Sequence, residues 1–269
     1  MLSYLKTVHG RLRQRVASIP WGLSPKESRM IEIKGVTKSF GKGLKAVNNL
    51  DWTINDGSIT GFIGPNGAGK STTLHMITGV LNPDAGQILI NGKDIQKDPL
   101  EAKKQFGFVP DEPDIFLRLT ALEYLNFIAD IYGVSSEMRR QFIRETAPRF
   151  DMQDVLGKQI LSFSHGMRQK VLVMGALIHD PSIWLLDEPM VGLDPKAAYT
   201  VKEMMHEHAA KGKTVVFSTH VLEVAEKLCD KICMINHGNK IYDGTLEALE
   251  EEHKGESLEE IFLAMTKDE

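Results

Sequence analysis

The spacing of apolar residues changes twice along the chain, and these changes mark out its parts. From residue 30, short apolar runs predict strands around one helix, the strands at 31–36, 50–54, 59–63 and 87–91 and the helix at 70–78. Between residues 110 and 161 the spacing predicts amphipathic helices without a convincing strand, at 121–131 and 137–149. Strands and helices then alternate at 183–186, 196–210, 214–218, 221–228 and 231–235. This alternation favours a parallel sheet covered on both faces.

One large α/β unit is predicted rather than two domains. The 269 residues suffice for a sizeable core, and no internal repeat is visible. We expect this unit to span residues 30–269, with a helical subdomain at about 111–180. Acidic C-terminal helices are predicted at about 245–266, with packing positions at Leu246, Leu249, Leu258, Ile261, Phe262 and Met265.

Residues 1–29 differ from the rest of the chain in charge and are predicted to form an extension and linker. Six basic residues and one acidic residue give this segment a charge of +5, which leaves −9 for the remainder. The apolar stripe from Leu2 to Ile19, with arginines mostly opposite, suits an amphipathic helix on a membrane surface or a permease flank. A frayed or loosely docked terminus is the alternative.

The composition excludes several classes of protein. Hydrophobic residues make up 42% and charged residues 25%, which excludes disorder, collagen and coiled coil as global descriptions. No apolar run approaches the roughly 20 residues of a membrane span, so we do not expect the chain itself to form a pore. A net charge of −4 gives no global basic field, and no nucleic-acid partner is expected.

Two cysteines, Cys229 and Cys233, are the only ones in the chain. They are too few for a disulfide framework, and no signal peptide is visible, so a reducing, cytoplasmic setting is expected. The pair could be half of a zinc site, but Cys233 lies in an apolar run and no second ligand pair is near. We therefore predict core cysteines.

A glycine-rich stretch between a predicted strand and a predicted helix carries the clearest chemistry. It fits the pattern G-x-x-x-x-G-K-[ST] and reads Gly64, Pro65, Asn66, Gly67, Ala68, Gly69, Lys70, Ser71, followed by Thr72. Backbone N–H groups and the helix N-terminus would surround phosphates, and Lys70 would reach the β and γ oxygens. Ser71 would supply a hydroxyl to Mg²⁺.

A second element follows the apolar strand at 183–186, where the chain reads Asp187-Glu188. Open α/β sheets bind ligands at the carboxyl ends of their strands. We predict that Asp187 holds Mg²⁺ through water and that Glu188 polarises the water attacking the γ-phosphate. Alone the acidic pair could be a solvated strand end, and both elements would suit many phosphate-loop ATPases.

Further motifs distinguish between these ATPases. The stretch from Leu161 to Lys170, with Ser164 and Gly166, resembles the signature motif of ATP-binding cassette proteins. Residues 191–194, ending in Asp194, resemble the D-loop of that family, and His220 resembles its switch histidine, which senses the γ-phosphate. The resemblance covers residues 30–267 and implies an ATPase that uses ATP and Mg²⁺. It also implies a P-loop NTPase (RecA-like) α/β core, a small antiparallel β region and an inserted helical subdomain.

The same resemblance implies roles that need a second chain. Ser164 and Gly166 would contact the γ-phosphate of a nucleotide held by another copy, so that two chains meet head to tail. Phe40 stands where the family carries an aromatic residue that stacks on adenine, and a core phenylalanine is the alternative.

Three residues depart from the family pattern. Asp111 follows the short strand ending at Val109-Pro110, where the family usually carries glutamine. A carboxylate can reach Mg²⁺ or water but cannot donate as an amide does, and we predict catalytic and metal roles for it. His165 replaces the first signature glycine, and Met167 replaces the glutamine. With the closing segment 257–263, these features resemble the ATPase subunits of ABC-2 type exporters.

The resemblance implies two partners and a location. They are a second ATP-binding subunit, either an identical chain or a close paralogue, and an integral membrane permease contacted around residues 111–122. The chain would then work at the cytoplasmic face of the cell membrane. The alternative is a soluble cassette ATPase of the cofactor-assembly type that transports nothing. A GTP-binding switch is a third hypothesis, but no guanine-specificity motif is visible.

Overall fold

A computed structural model describes residues 29–41, 43–55, 57–113 and 116–266 of the chain. Its strands are β1 (Arg29–Phe40), β2 (Leu44–Asn55), β3 (Ile59–Ile63), β4 (Ala85–Ile90), β5 (Lys93–Asp94), β6 (Phe106–Val109), β7 (Ile183–Leu186), β8 (Thr214–Thr219), β9 (Lys231–Asn236) and β10 (Asn239–Thr245). Its α-helices are α1 (Lys70–Ile77), α2 (Pro99–Lys103), α3 (Ala121–Ile131), α4 (Ser136–Thr146), α5 (His165–Leu177), α6 (Pro195–Ala210), α7 (Leu222–Leu228), α8 (Leu246–Glu252) and α9 (Leu258–Thr266). The helix predicted near the N-terminus lies outside these residues.

The larger sheet has six strands in the order β10-β9-β3-β8-β7-β6. All its neighbours are parallel except β10, which runs antiparallel to β9. Every residue of β3, β7 and β8 is buried, which is typical of strands covered on both faces. The predicted parallel sheet is therefore confirmed, and the edge strand β10 is an addition to it.

The smaller sheet is antiparallel, in the order β2-β1-β4-β5. It packs on the larger sheet through apolar side chains, and the rings of Trp52 on β2 and Phe62 on β3 stack with centroids 4.8 Å apart. The amide of Asn48 also donates to the side-chain oxygen of Asn239 on β10 at 2.9 Å. These contacts fix β2 beside β3 and β10.

The helical region between β6 and β7 is confirmed, with one boundary changed. Helix α3 begins at a capping box formed by Thr120 and Glu123, and α4 begins at Ser135, whose hydroxyl accepts from the N–H of Met138. The helix predicted at 137–149 ends at Thr146 and continues as a 3-10 helix, Ala147–Phe150. Pro148 explains this end, because proline lacks the N–H that an α-helical turn needs.

The C-terminal helices pack where the sequence predicts. Four of the expected positions are buried and two are partly buried, in one cluster with β9 and α7: Leu246, Leu249, Leu258, Ile261, Phe262 and Met265.

Cys233 is fully buried in the sheet, and burial raises the pKa of the Cys229 and Cys233 thiols. Cys229 is partly buried and packs against two of the apolar clusters. Within the described ranges no three His, Cys, Asp or Glu side chains group as a metal site. None of the helices in these ranges is both long and apolar enough to cross a bilayer.

Candidate nucleotide site

The loop from Gly64 to Gly69 connects β3 to α1 and is closely enclosed by backbone. A Cβ on Gly69 would lie 2.3 Å from the carbonyl oxygen of Ala46, and one on Gly64 would lie 2.3 Å from that of Ile235. Gly69, at φ 109°, is the N-cap of α1 and provides no side-chain cap, so the first N–H groups of the helix are left for a ligand. Around the loop, Ala68 is buried, Ser71 and Thr72 are half-buried, and Pro65, Asn66 and Gly67 are exposed.

Lys70 is buried and folds back over this loop. Its ammonium donates to the carbonyl oxygens of Gly64 at 2.8 Å and Pro65 at 3.2 Å. It also lies 3.3 Å from Oε1 of Glu188, and both side chains are largely buried. The cation is therefore held where the loop and the end of β7 meet.

Asp187 and Glu188 leave the carboxyl end of β7 in different environments. Asp187 is fully buried, and its Oδ1 accepts from the hydroxyl of Ser218 at 2.5 Å. Its Oδ2 is buried and has no hydrogen-bond partner among the residues that the structure describes. Glu188 has φ 45°, and its N–H donates to Oγ of Ser218 at 2.9 Å.

Ser218 therefore orients both acidic residues, although it belongs to none of the motifs in the sequence. Its position could have been predicted from the register between β7 and β8. Residues Leu186 and Phe217 are paired across β7 and β8, so the next position on β8 lies beside Asp187.

His220 completes a cluster around Glu188. Its Nδ1 lies 3.0 Å from Oε1 of Glu188, the same oxygen that faces Lys70. The structure thus brings together three residues that are far apart in sequence. A carboxylate oxygen, an ammonium and an imidazole meet at the edge where the parallel strands end.

Asp111 follows β6, which pairs with β7, and lies in the same electrostatic field. Burial raises the pKa of its carboxyl, and the negative charges of Asp187, Glu188 and Glu112 raise it further, whereas His165 lowers it. No hydrogen bond joins Asp111 to the cluster in the described ranges. The geometry places it near the acidic pair without assigning it a ligand.

The signature and D-loop residues Ser164 and Asp194 cap helices and do not join the cluster around Glu188 in the part of the chain that the structure describes. Ser164 is exposed and caps α5 by accepting from the N–H of Met167 at 3.3 Å. In the part of the chain that is described, no hydrogen bond joins Ser164 or Gly166 to the phosphate loop. Asp194 caps α6 through the N–H of Ala197 at 2.8 Å and accepts from Lys170 at 2.9 Å.

Phe40 ends β1 with 46% of its surface exposed, so the alternative of a core phenylalanine is wrong. The ammonium of Lys38 lies 5.9 Å from its ring centroid. The ring is therefore exposed to solvent and contacts the side chain of Lys38.

Comparison with known proteins agrees with this architecture. The family model described as "ABC transporter" matches residues 47–191, and one described as "AAA domain, putative AbiEii toxin, Type IV TA system" matches residues 158–226. The chain is 39% identical over 224 residues to the ABC transporter ATP-binding protein NatA of Bacillus subtilis, covering 83% of this chain and 91% of NatA. It is 37% identical to the Nod factor export ATP-binding protein I of Rhizobium sp., covering 86% of this chain and 76% of that protein.

Solved structures show the same fold. The structure of an ATP-binding subunit of an ABC transporter superposes with a TM-score of 0.84 at 32% identity, over 88% of this chain and 99% of that one. A dimeric ATP-binding cassette in a post-hydrolysis state, bound to ADP and Pi, superposes with a TM-score of 0.73 at 28% identity, over 81% and 99%. These relatives favour a transporter subunit over the soluble alternative. The chain belongs to the ABC transporter family, in which it is an ATP-binding and ATP-hydrolysing subunit.

Proposed function

We propose that this chain powers an exporter of the ABC-2 type by hydrolysing ATP between two head-to-tail cassettes. The observation that carries the proposal is the convergence of Lys70 and His220 on one oxygen of Glu188. His220 holds this oxygen, so that once the phosphates of ATP have replaced Glu188 at the ammonium of Lys70, the carboxylate would lie beside the γ-phosphate and could accept a proton from a water there. The names of the relatives, one of which is an export protein, support the direction of transport.

The phosphates of ATP would lie on the loop at Gly64–Gly69 and the N-terminus of α1. Phosphate oxygens would take the place of the carbonyl groups and Glu188 around the ammonium of Lys70. The residues present fit Mg²⁺, because Asp187 offers a buried, unpartnered Oδ2 and Ser71 a hydroxyl in the first helical turn. When bound, Mg²⁺ would neutralise the phosphate charge. Asp111 would face the ion or its water.

The steps of hydrolysis fall to this chain's own side chains. Glu188 orients the attacking water and accepts its proton, while His220 holds the carboxylate and faces the γ-phosphate. Ser218 keeps Asp187 and Glu188 in register through its two hydrogen bonds. Phe40 would stack on adenine, since its ring is exposed.

The other half of each site would come from a second subunit, either an identical chain or a close paralogue. Ser164 and the Gly166 backbone lie at the exposed N-terminus of α5, which favours anions. Ser164 is exposed and could contact a nucleotide held by the partner. Asp194 would position the D-loop in that interface.

A membrane permease would dock beside the nucleotide on the helical subdomain. Phe116 and Phe127 are 48% and 41% exposed, with ring centroids 5.3 Å apart, and Leu122, on the same helix as Phe127, is 41% exposed. These exposed apolar side chains follow Asp111 in sequence, so a permease segment there would sense the nucleotide site. The chain would accordingly work at the cytoplasmic face of the membrane.

The experiment that tests the dimer is gel filtration of Glu188→Gln with MgATP. This variant leaves the phosphate loop intact and should elute as a dimer, whereas Lys70→Ala should lose nucleotide and remain a monomer. Both should lose hydrolysis. A Glu188→Gln chain that binds MgATP but stays monomeric would contradict the head-to-tail arrangement.

Residues 1–28 would contact anionic membrane or the permease flank. Each basic residue near such a surface contributes about 1 kcal/mol, so the contact would be reversible. Deleting Met1 to Ser28 should leave basal ATPase nearly unchanged and weaken flotation with anionic vesicles at low salt. At about 0.5 M salt the full-length chain should also detach, because charge is screened. Equal flotation of both chains would refute the membrane contact, and a lower Tm on deletion would indicate packing on the cassette.

A further inference from the structure

The side chain of His165 packs directly over the backbone of Gly192. A Cβ built on Gly192 would lie 2.3 Å from Cδ2 of the imidazole and 2.9 Å from its Nε2. Gly192 also has φ +75°, a conformation that favours glycine. The imidazole at the start of α5 therefore occupies the space that the missing side chain leaves open.

Two further contacts join the same segments. A Cβ on Gly166 would lie 2.5 Å from the carbonyl oxygen of Gly192, so the helix backbone and the loop backbone approach closely. One turn along α5, Lys170 donates to Asp194 at 2.9 Å, and the lysine is 11% exposed. The loop at 191–194 is thus held against the first turns of α5 at both of its ends.

The loop is also tied to Glu188 within a few residues. The N–H of Val191 donates to the carbonyl oxygen of Glu188 at 3.1 Å. A shift of Gly192 relative to β7 is therefore transmitted through one short hydrogen-bonded turn to the backbone of Glu188. The first turn of α5 and the carboxylate at the end of β7 are connected by packing and hydrogen bonds.

We propose that His165 is a positioning residue that couples the two ATP sites of the dimer. The inference rests on the proposed function, in which the N-terminus of α5 faces the partner's nucleotide and Glu188 serves the chain's own. Movement of Ser164 on binding that nucleotide is passed through His165 to Gly192 and on to Glu188. The family pattern has glycine at position 165, which has no side chain to make this contact.

The role depends on the shape of the ring and not on its nitrogens. The contact atoms nearest Gly192 include a ring carbon, and a phenylalanine ring would fill much of the same space. His165→Phe should therefore preserve coupling, and His165→Ala should remove it without the cost that glycine imposes on a helix. Lys170→Met, which removes the second tie, should change coupling in the same direction as His165→Ala.

The test is steady-state ATPase of the full chain against MgATP concentration, with ADP affinity measured separately. We expect His165→Ala to reduce the Hill coefficient towards 1 and kcat by roughly two- to tenfold, with ADP affinity unchanged. His165→Phe should resemble the wild type in both, and thermal unfolding should show both variants folded.

Each other outcome overturns the proposal. A wild-type Hill coefficient of 1, or a His165→Ala variant equal to wild type, would show that no coupling passes through His165. A His165→Phe variant as defective as His165→Ala would assign the role to the ring nitrogens instead. Gel filtration separates this from the proposed function, because the double variant His165→Ala/Glu188→Gln should still form the ATP-dependent dimer. Failure of Glu188→Gln alone to dimerise would refute the dimer itself.

Discussion

Lys70 and Glu188 form a largely buried ion pair, with Nζ 3.3 Å from Oε1. The residue proposed to hold phosphate is thus paired with the residue proposed to activate water. A nucleotide must displace the carboxylate from the ammonium before its own phosphates can pair there. Nucleotide affinity should therefore depend on the charge of Glu188 even when no hydrolysis takes place.

Glu188→Gln should bind ADP more tightly than the wild type, by roughly three- to tenfold, because Lys70 loses its competing anion. Titration calorimetry with ADP measures this without hydrolysis or dimerisation by ATP. Glu223→Gln, which removes an 80% exposed partner of Lys227, is the matched control and should leave affinity unchanged. Equal or weaker ADP binding by Glu188→Gln would show that the ion pair does not oppose the ligand.

Asp111 should govern the acid side of the pH profile. Burial and the nearby carboxylates raise its pKa, so the charged form that can face Mg²⁺ or water is lost at a higher pH than for an ordinary aspartate. Asp111→Ala should slow turnover while sparing nucleotide affinity, and Asp111→Asn should be milder. In Asp111→Asn the component of kcat that falls on acidification should disappear. If the acid limb of the kcat profile is the same in Asp111→Asn as in the wild type, Asp111 does not govern it.

The buried His208 and the partly buried His179 should make the fold sensitive to acid. Burial lowers the pKa of His179 and of His208 to about 4, against about 6.5 in an unfolded chain. The unfolded state then binds more protons below pH 6.5, so stability is lost as the pH falls from 6.5 towards 4. We expect a loss of roughly 1–3 kcal/mol per histidine after allowance for solvent screening.

Urea unfolding at about pH 7 and about pH 5 measures this effect. His208→Phe keeps a ring beside Trp184, whose centroid is 5.9 Å away, and should reduce the pH dependence. The double variant with His179→Phe should reduce it further. If the double variant loses as much stability on acidification as the wild type, other groups are responsible.

Gly107 on β6 should tolerate no side chain. A Cβ there would lie 1.9 Å from the carbonyl oxygen of Ala176 on α5. Gly107→Ala should cost about 3 kcal/mol or more of unfolding free energy, because backbone must move. Gly157→Ala is the control, since nothing lies within 4 Å of its Cβ. Thermal unfolding compares them, and a Gly107→Ala chain with the control's Tm would show that β6 and α5 can separate cheaply.

Much of the fold follows from the sequence where burial is complete. Strands β3 and β7 were predicted residue for residue, because each is an uninterrupted apolar run that both faces of the sheet bury. Strand β10 was not predicted, since its residues are polar or half-buried and carry little periodicity. Sequence spacing also extended α4 beyond Thr146, where Pro148 stops the α-helical hydrogen bonds.

Some residues of the candidate site could be predicted from local sequence motifs, and others could not. Lys70, Asp187 and Glu188 could be found because their motifs are local and follow buried strands. Ser218 needed the register between two strands, and the contact of His165 with Gly192 needed the packing of a helix against a distant loop. Such contacts depend on tertiary placement, and no local pattern encodes them.

The carbonyl groups of Ala46 and Ile235, which close in on Gly69 and Gly64, give the phosphate loop its shape from outside. The N–H of Gly238 also donates to the carbonyl of Ala68 at 2.9 Å. The loop is therefore enclosed by β2 of the smaller sheet and by β9 and the turn after it in the larger sheet. The loop is preorganised, and little conformational entropy remains to be lost when phosphates arrive. Any rearrangement that nucleotide provokes must therefore occur in the side chains and segments around the loop, while the loop itself serves as the fixed point against which they move.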